Sequence, residues 1–354
     1  MRLAILGGGQ LAWMLALAAE PLGIEVAVLD PSPDCAAGRI AELVCAAYDD
    51  PDGLDRVSAG ADVVTYEFEN VPAAAIERLH VLPSPASLAV TQDRAREKEL
   101  LAGLGIAVAP YALIDSADDV AAALDQVGAP GILKTRRLGY DGKGQIRVRE
   151  AGDLAAAVAE LGGTDLIYEG LVAFDRELSI VVARGADGAV AAYPPVENEH
   201  RDGILACTLA PAEGCDVASA QAIGTQVAEA LGHVGVLCVE LFDTPDGIVA
   251  NEIAPRVHNS GHWSIEGAVT SQFENHVRAV CGLPLGDPSA RGWSAMVNLV
   301  GTEPDLTALL AIDGAHVHRY GKAPRVGRKL GHVTVTDPAA LPAVRALADA
   351  AWSA

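Results

Sequence analysis

A chain of 354 residues and 36.4 kDa, 51% hydrophobic, 20% charged and 4% aromatic, is long enough for two or three domains with ample core and falls outside the disordered and fibrous classes. Its 25 Lys and Arg against 47 Asp and Glu give a net charge of −22 and a pI near 4.7. That balance repels a nucleic-acid backbone but leaves room for a polyanionic small molecule gripped by a few cations in one cleft.

The N-terminal apolar stretch behind Arg2, with small residues at 16–19, has the outline of a short signal peptide. Gly7-Gly8-Gly9-Gln10 interrupts it, and it runs straight into a second strand-like segment, so it reads as the start of a domain. Arg2–Leu6 is expected as a buried strand, 7–9 as a tight turn, Gln10–Ala19 as a helix and Ile24–Leu29 as a second strand ending at Asp30, a β-α-β unit. Ala61–Phe68 continues the same sheet, with a helix over Pro72–Leu79. Beyond Pro83-Ser84-Pro85, a charged helix over Ser87–Leu104 leads out of the first domain. Strands Ile132–Thr135, Gln145–Arg149, Leu166–Tyr168 and Leu178–Ala183 then alternate with Ala-rich helices over Ala117–Val127 and Leu154–Leu161. A helix over Val217–Leu231 precedes a hairpin, Val236–Phe242 with Ile248–Ile253, turning through Thr244-Pro245-Asp246-Gly247. A helix near Ser264–Cys281, strands Ala295–Val300, His316–Tyr320 and His332–Thr336, and a terminal helix from Pro338 complete the chain. No run of about 18 uncharged apolar residues is present to span a membrane. The six cysteines (35, 45, 207, 215, 238 and 281) have neither C-x-x-C nor zinc spacing, which points to buried, reduced thiols in a cytoplasmic protein.

Five features could carry chemistry. Gly7-x-Gly9-x-x-Ala12 after a strand, with Asp30 closing the next, fits a dinucleotide fingerprint and makes a nicotinamide-dependent oxidoreductase a contender. Lys134 at a strand end, followed by Gly139-Tyr140-Asp141-Gly142-Lys143-Gly144-Gln145, reads either as a flap whose backbone N–H groups cover phosphates or as a Gly-rich hairpin turn with solvated lysine. The chain has only five lysines, and all but Lys98, on an ordinary helix, fall in Gly-rich or basic segments. Glu240 and Glu252 lie opposite each other if the hairpin turns about Asp246. Opposed carboxylates in apolar strands call for a neutralising cation such as Mg²⁺, although a shift of one residue would set Asn251 there instead, and two exposed edge-strand acids would need no cation. Ala254-Pro255-Arg256-Val257-His258-Asn259-Ser260-Gly261-His262-Trp263 is too dense in hydrogen-bonding groups for a plain connection: Arg256 offers a fork for an anion and His258 an acid, base or donor, while His262 and Trp263 suit packing. The basic run from Lys322 to Lys329 reads as a second phosphate site or a solvated turn.

Taken together, Gly9-Gln10-Leu11, Tyr66-Glu67-Phe68-Glu69, Asp93-Arg94, the 139–145 segment, Asn251 to Trp263, and Gly327-Arg328-Lys329-Leu330-Gly331-His332 resemble the N5-carboxyaminoimidazole ribonucleotide synthetase family of ATP-grasp enzymes. The likeness covers nearly the whole chain. One departure is that Ala12 and Trp13 stand where the family usually has Gly and Arg. The resemblance implies an α/β and α+β protein: a Rossmann-like N-terminal domain (1–90), an ATP-grasp region (91–285) and a small C-terminal domain (286–354). It implies ATP-dependent carboxylation of 5-aminoimidazole ribonucleotide by bicarbonate through carboxyphosphate in purine biosynthesis, by a cytoplasmic homodimer that binds neither nucleic acid nor membrane. Arg94, Lys134, Gly139 to Gln145, Glu169, Gly170, Leu171, Val172, Glu177, His200, Asn251 and Glu252 would bind the nucleotide, with Glu240 and Glu252 on Mg²⁺. Tyr140, Asp141 and Lys143 would handle bicarbonate and its intermediate. Gln10, Leu11, Glu67, Glu69, Arg256, His258, Asn259, Ser260, Lys322 and Arg328 would meet the ribonucleotide. Against this stand the oxidoreductase, which gives Glu240, Glu252 and the 139–145 segment no role, and a catalytically dead relative acting as an interaction protein, which predicts losses at those motifs.

Overall fold

The computed structural model describes residues 1–139 and 144–353. Strands β1 (Arg2–Leu6), β2 (Glu25–Asp30), β3 (Glu42–Cys45) and β4 (Val63–Tyr66) form a parallel sheet in the order β3-β2-β1-β4. β1 is apolar throughout after Arg2 because both its faces are covered: Leu3 and Ile5 pack with Leu11 and Leu15 of the Gln10–Ala19 helix, Ala4 and Leu6 with Leu54 and Val57. β3 adds to the sequence expectation, its four residues being too few for a clear period. The helix expected over Ser87–Leu104 is two helices, Pro85–Thr91 and Arg94–Gly103. Asp93 breaks it in an extended conformation, its carboxylate capping the Ala95 N–H at 3.0 Å while taking Arg136 at 3.0 and 2.8 Å.

A second, antiparallel sheet in the order β5-β8-β6-β7 is built from β5 (Tyr111–Ile114), β6 (Gly131–Thr135), β7 (Gln145–Val148) and β8 (Leu166–Gly170). The Val120–Val127 and Leu154–Glu160 helices close a core of their own against it. The third sheet holds β9 (Arg176–Arg184), β10 (Val190–Ala192), β11 (Val196–Arg201), β12 (Ile204–Ala210), β13 (Gly235–Thr244), β14 (Gly247–Ala254), β15 (Ser294–Val300), β16 (Ala315–Arg319) and β17 (Lys329–Val335). Its order is β14-β13-β9-β11-β12-β15-β17-β16, with β10 on β9. Period-two alternation serves two cores: Ile180, Val182, Leu237 and Val239 face the Val217–Ala230 helix, Val181, Ala183, Val236 and Cys238 the Gln272–Val280 helix. The sheet passes the expected boundary at 286 unbroken, since β12 pairs with β15. The helix expected over Ser264–Cys281 divides into Ser264–Gly267 and Gln272–Val280, the latter capped by Ser271.

Among the described residues no helix is long and apolar enough to cross a membrane. The six cysteines are free, but only Cys35, Cys207 and Cys238 are buried; Cys45 is exposed and Cys215 and Cys281 are half-buried, so the expectation of buried thiols holds for three.

Candidate active site

The Arg94–Gly103 helix joins the second and third sheets, Lys98 reaching Glu169 of β8 and the Asn251 carbonyl of β14, and Arg94 reaching Glu252 of β14. Glu169, at the end of β8 and 4% exposed, lies between two ammonium groups: Lys134 Nζ is 3.2 Å from Oε1 and Lys98 Nζ 3.3 Å from Oε2. Burial pushes the Glu169 carboxyl up, but Lys134 and Lys98 outweigh it and hold it below the usual carboxylate range. Gly170 continues β8 opposite Gly131, and Leu171 and Val172 lead out towards β9. On β9, Glu177 pairs with His200 Nδ1 of β11. Burial lowers the His200 imidazole, yet the Glu177 carboxylate beside it raises it overall. Phe174 stacks on Phe242 at 4.6 Å between ring centroids. Arg94 Nη2 lies 3.3 Å from the Gly139 carbonyl and 3.4 Å from Glu252 Oε2. Gly144 takes a φ of +67°, its carbonyl accepting the Thr135 N–H at 2.9 Å, and Gln145 pairs with Lys134. Tyr140, Asp141, Gly142 and Lys143 lie outside the described residues.

Glu240 and Glu252 are direct cross-strand partners. At the hairpin tip Thr244 pairs with Gly247, a register that would bring Asn251 to Glu240. A bulge intervenes: Leu241 pairs with Ala250, Glu240 with Glu252, and Asn251 is the extra residue. The Glu240 carboxyl is pushed up to about 7 by burial and by Glu252, while His258 Nε2 stands 3.3 Å from its Oε1. Two opposed hard oxygen donors, one of them held near protonation, fit a divalent cation. Among the described residues no group of three or more His, Cys, Asp or Glu is placed to hold a metal ion.

Beyond the acid pair, Arg256 Nη2 donates to Glu69 Oε1 at 2.9 Å, tying the third sheet to the N-terminal domain. His258 is lowered well below 6.5 by burial and by Arg256. Its Nδ1 accepts from Ser260 N–H at 3.4 Å and lies 2.8 Å from Ser260 Oγ, so its proton sits on Nε2, facing Glu240. Gln272, which the sequence reading passed over, holds the His258 backbone on both sides, accepting its N–H at 2.9 Å and donating to its carbonyl at 2.7 Å. The nearest sequence signal is Gly261, where a Cβ would meet Gln272 Oε1 at 2.4 Å.

Lys322 donates to Gln10 Oε1 and is lowered to about 8 by burial, against the pull of Glu67. Arg328 reaches the Ala323 carbonyl at 3.2 Å in the same half-exposed basic turn. Three of the expected ribonucleotide contacts are engaged within the protein. Leu11 is 6% exposed and its side chain lies in the core; Asn259 exchanges amide hydrogen bonds with Asn298; and Ser260, fully buried, supports His258. Their polarity, or their place beside Gln10 and His258, reflects support for the site.

The N-terminal turn is filled by the protein itself. Gly9 N–H donates to Glu67 Oε1 at 2.6 Å, and a Cβ on Gly7 or Gly9 would come within 2.6 Å of the Glu67 side chain. Asp30 is saturated by Gly8 N–H, Ser32 N–H and Tyr48 OH at 2.8, 2.8 and 2.9 Å, so the groups expected to take a pyrophosphate and a ribose are engaged with each other and with Glu67. The oxidoreductase reading loses its ground there.

Comparison with known proteins gives three matching family models: ribonucleotide synthetase preATP-grasp domain over residues 1–92, ATP-grasp domain over 99–273, and phosphoribosylaminoimidazole carboxylase C-terminal domain over 294–343. The chain is 46% identical over 339 residues to the N5-carboxyaminoimidazole ribonucleotide synthase of Pseudomonas aeruginosa, covering 95% of this chain and 94% of that one. The crystal structure of the Thermus thermophilus synthetase is similar with a TM-score of 0.94 and 48% identity over 99% of both chains. That of the Aspergillus clavatus synthase in complex with ADP and 5-aminoimidazole ribonucleotide is similar with a TM-score of 0.90 and 32% identity, over 98% and 97% of the two chains.

Proposed function

The chain belongs to the N5-carboxyaminoimidazole ribonucleotide synthase family of ATP-grasp ligases, and we propose that the cleft between its second and third sheets is where it works. It uses ATP to carboxylate 5-aminoimidazole ribonucleotide in purine biosynthesis. The observation that carries the assignment of the site is the single line of groups from Lys134 and Glu169, through Arg94 and Glu252, to Glu240 and His258.

On this reading Glu169 to Val172 border the adenine, Glu177 and His200 the ribose, and Lys134, Arg94 and Gly139 to Gln145 the phosphates. Glu240 and Glu252, beside Asn251, would hold Mg²⁺, which when bound supplies charge neutralisation for phosphoryl transfer. Bicarbonate would take the γ-phosphoryl group of ATP, releasing ADP, to give carboxyphosphate near Tyr140, Asp141 and Lys143; this would split into inorganic phosphate and CO₂, which the exocyclic amine of the ribonucleotide would take up with loss of a proton. Arg256, aimed by Glu69, and His258, held neutral with its proton on Nε2, orient groups at that junction. Lys322 and Arg328 sit in a cationic turn suited to the ribonucleotide phosphate, with Gln10 and Glu67 fixing Lys322.

The N-terminal division (1–90) and the C-terminal one (286–354) would form the ribonucleotide side, and residues 91–285 the nucleotide side. A cytoplasmic homodimer is the form the family suggests, and light scattering on the purified protein tests the dimer. The decisive experiment on function is ADP release with Mg-ATP, adding or omitting 5-aminoimidazole ribonucleotide and bicarbonate. Release that needs the ribonucleotide, with bicarbonate carbon in the product, supports the reading; no release by folded protein defeats it.

A further inference from the structure

Two adjacent residues given no part in the reaction above hold the floor of the cleft. β14 is an edge strand, and its open side is closed by single contacts instead of a neighbouring strand. Ala250 N–H donates to the Ala107 carbonyl at 2.8 Å, Lys98 Nζ donates to the Asn251 carbonyl at 2.8 Å, and Glu97 accepts the Ile253 N–H. The last two contacts flank Glu252, and Asn251 is the residue of the bulge that sets Glu252 against Glu240. Lys98 Nζ also lies 3.3 Å from Glu169 Oε2, so one ammonium joins β14 of the third sheet to β8 of the second. Glu97 and Lys98 are each 1% exposed. Burying two ionisable side chains this deeply is costly unless they are paired, and an apolar pair in their place would leave backbone groups of β14 unsatisfied.

We propose that Glu97 and Lys98 are positioning residues for MgATP: together they clamp the Asn251 bulge, and thereby Glu252, while Lys98 sets Glu169 for its neighbour Lys134. The inference rests on the nucleotide-site reading above. The test is calorimetric titration of a non-hydrolysable ATP analogue with Mg²⁺ into the wild-type protein, Lys98→Met, Glu97→Ala and Glu97→Gln, alongside separate KM values for ATP and the ribonucleotide. Lys98→Met and Glu97→Ala are expected to weaken binding of the Mg-nucleotide at least about tenfold, with a matching rise in KM for ATP and less than about a twofold change in KM for the ribonucleotide. Glu97→Gln, which keeps an oxygen for the Ile253 N–H, should restore affinity to within about threefold of wild type. Should the two truncations fail to fold, Glu97→Asp carries the test: it keeps the carboxyl group but falls a methylene short of Ile253, and should lose affinity that Glu97→Gln retains. Folded variants that bind like wild type, a Gln as impaired as Ala or Asp, or equal changes in both KM values would overturn the inference. Wild-type protein that binds no Mg-nucleotide would instead overturn the nucleotide-site reading.

Discussion

His233 and His276 lie at the seam between the first and third sheets, and their hydrogen bonds define them as neutral. His276 Nδ1 accepts the Val236 N–H at 3.1 Å, which leaves the proton on Nε2, 2.9 Å from Thr65 Oγ1 of β4. His233 Nε2 lies 3.1 Å from the Val236 carbonyl and must donate to it, so Nδ1 accepts from Ser87 Oγ at 2.9 Å. Both are fully buried, and burial lowers His276 to about 3 and His233 to about 4. An unfolded chain protonates its imidazoles near about 6.5. Below that pH the unfolded state binds more protons than the folded one, so stability rises with pH; the contribution is complete above about 6.5 and lost as pH falls towards the folded values. At pH 5 each histidine is worth about 2 kcal/mol, the pair about 4 kcal/mol, a large share of the roughly 5–15 kcal/mol that holds a domain folded. Urea unfolding at pH 5, 6, 7 and 8, followed by tryptophan fluorescence, would measure this in the wild type and in His233→Gln/His276→Gln. The wild type should lose about 4 kcal/mol more than the double variant between pH 8 and pH 5. Equal losses would refute the argument that these two rings are buried neutral in the seam.

Three further outcomes are expected. Glu252→Gln should abolish Mg²⁺-dependent ATP turnover with an unchanged circular dichroism spectrum; normal turnover by the folded variant would sink the metal assignment. Arg328→Ala should raise KM for the ribonucleotide at least about tenfold and spare KM for ATP, whereas a selective loss of ATP affinity would contradict its place in the basic turn. Gly9→Ala sets a Cβ 2.6 Å from Glu67 Oε1 and should lower stability by about 1–3 kcal/mol, seen as a depressed melting temperature; a variant as stable as wild type would show that Glu67 does not need the glycines.

The acid pair was legible because the Thr244-to-Gly247 turn and the apolar flanks constrain where two carboxylates can meet. The bulge that settles the register was not, since one extra residue leaves no mark on the alternation. The N-terminal turn misled for a physical reason: a backbone that must admit the Glu67 carboxylate needs the same missing Cβ atoms as one that admits a pyrophosphate. The internal partners of Asn259 and Ser260, Asn298 and His258, were not legible because polarity in a strand-to-helix connection does not say which way it faces. Lys98 was set aside as an ordinary helical lysine. It sits one turn after Arg94, between the charged Arg96 and Glu99, and local pattern gave it a solvated face. Its burial comes from Asn251 and Glu169, residues far along the chain that only the tertiary fold brings to the helix.

The net charge of −22 acquires a meaning in the cleft. Along its length cations meet carboxylates, Lys134 and Lys98 with Glu169, Arg94 with Glu252 and Arg256 with Glu69, while the neutral His258 turns its Nε2 to Glu240. Lys322, joined to Gln10, has Glu67 as the acid that offsets its burial. Cations gathered without such partners would repel one another and lose their alignment before any substrate arrived. The Arg94–Glu252 pair is loose at 3.4 Å, with the carboxylate side chain 43% exposed, and on the reading proposed above a phosphate oxygen would take its place beside Arg94. The fully buried partner of Lys98 is a different case: an ammonium shared between Glu169 and a backbone carbonyl has no solvent to turn to and stays where it is. On the reading proposed above, the acidic side chains divide by exposure: those like Glu252 would hold a cation until substrate takes their place, and the buried Glu169 and Glu97, with Lys98 between the sheets, would fix the frame around it.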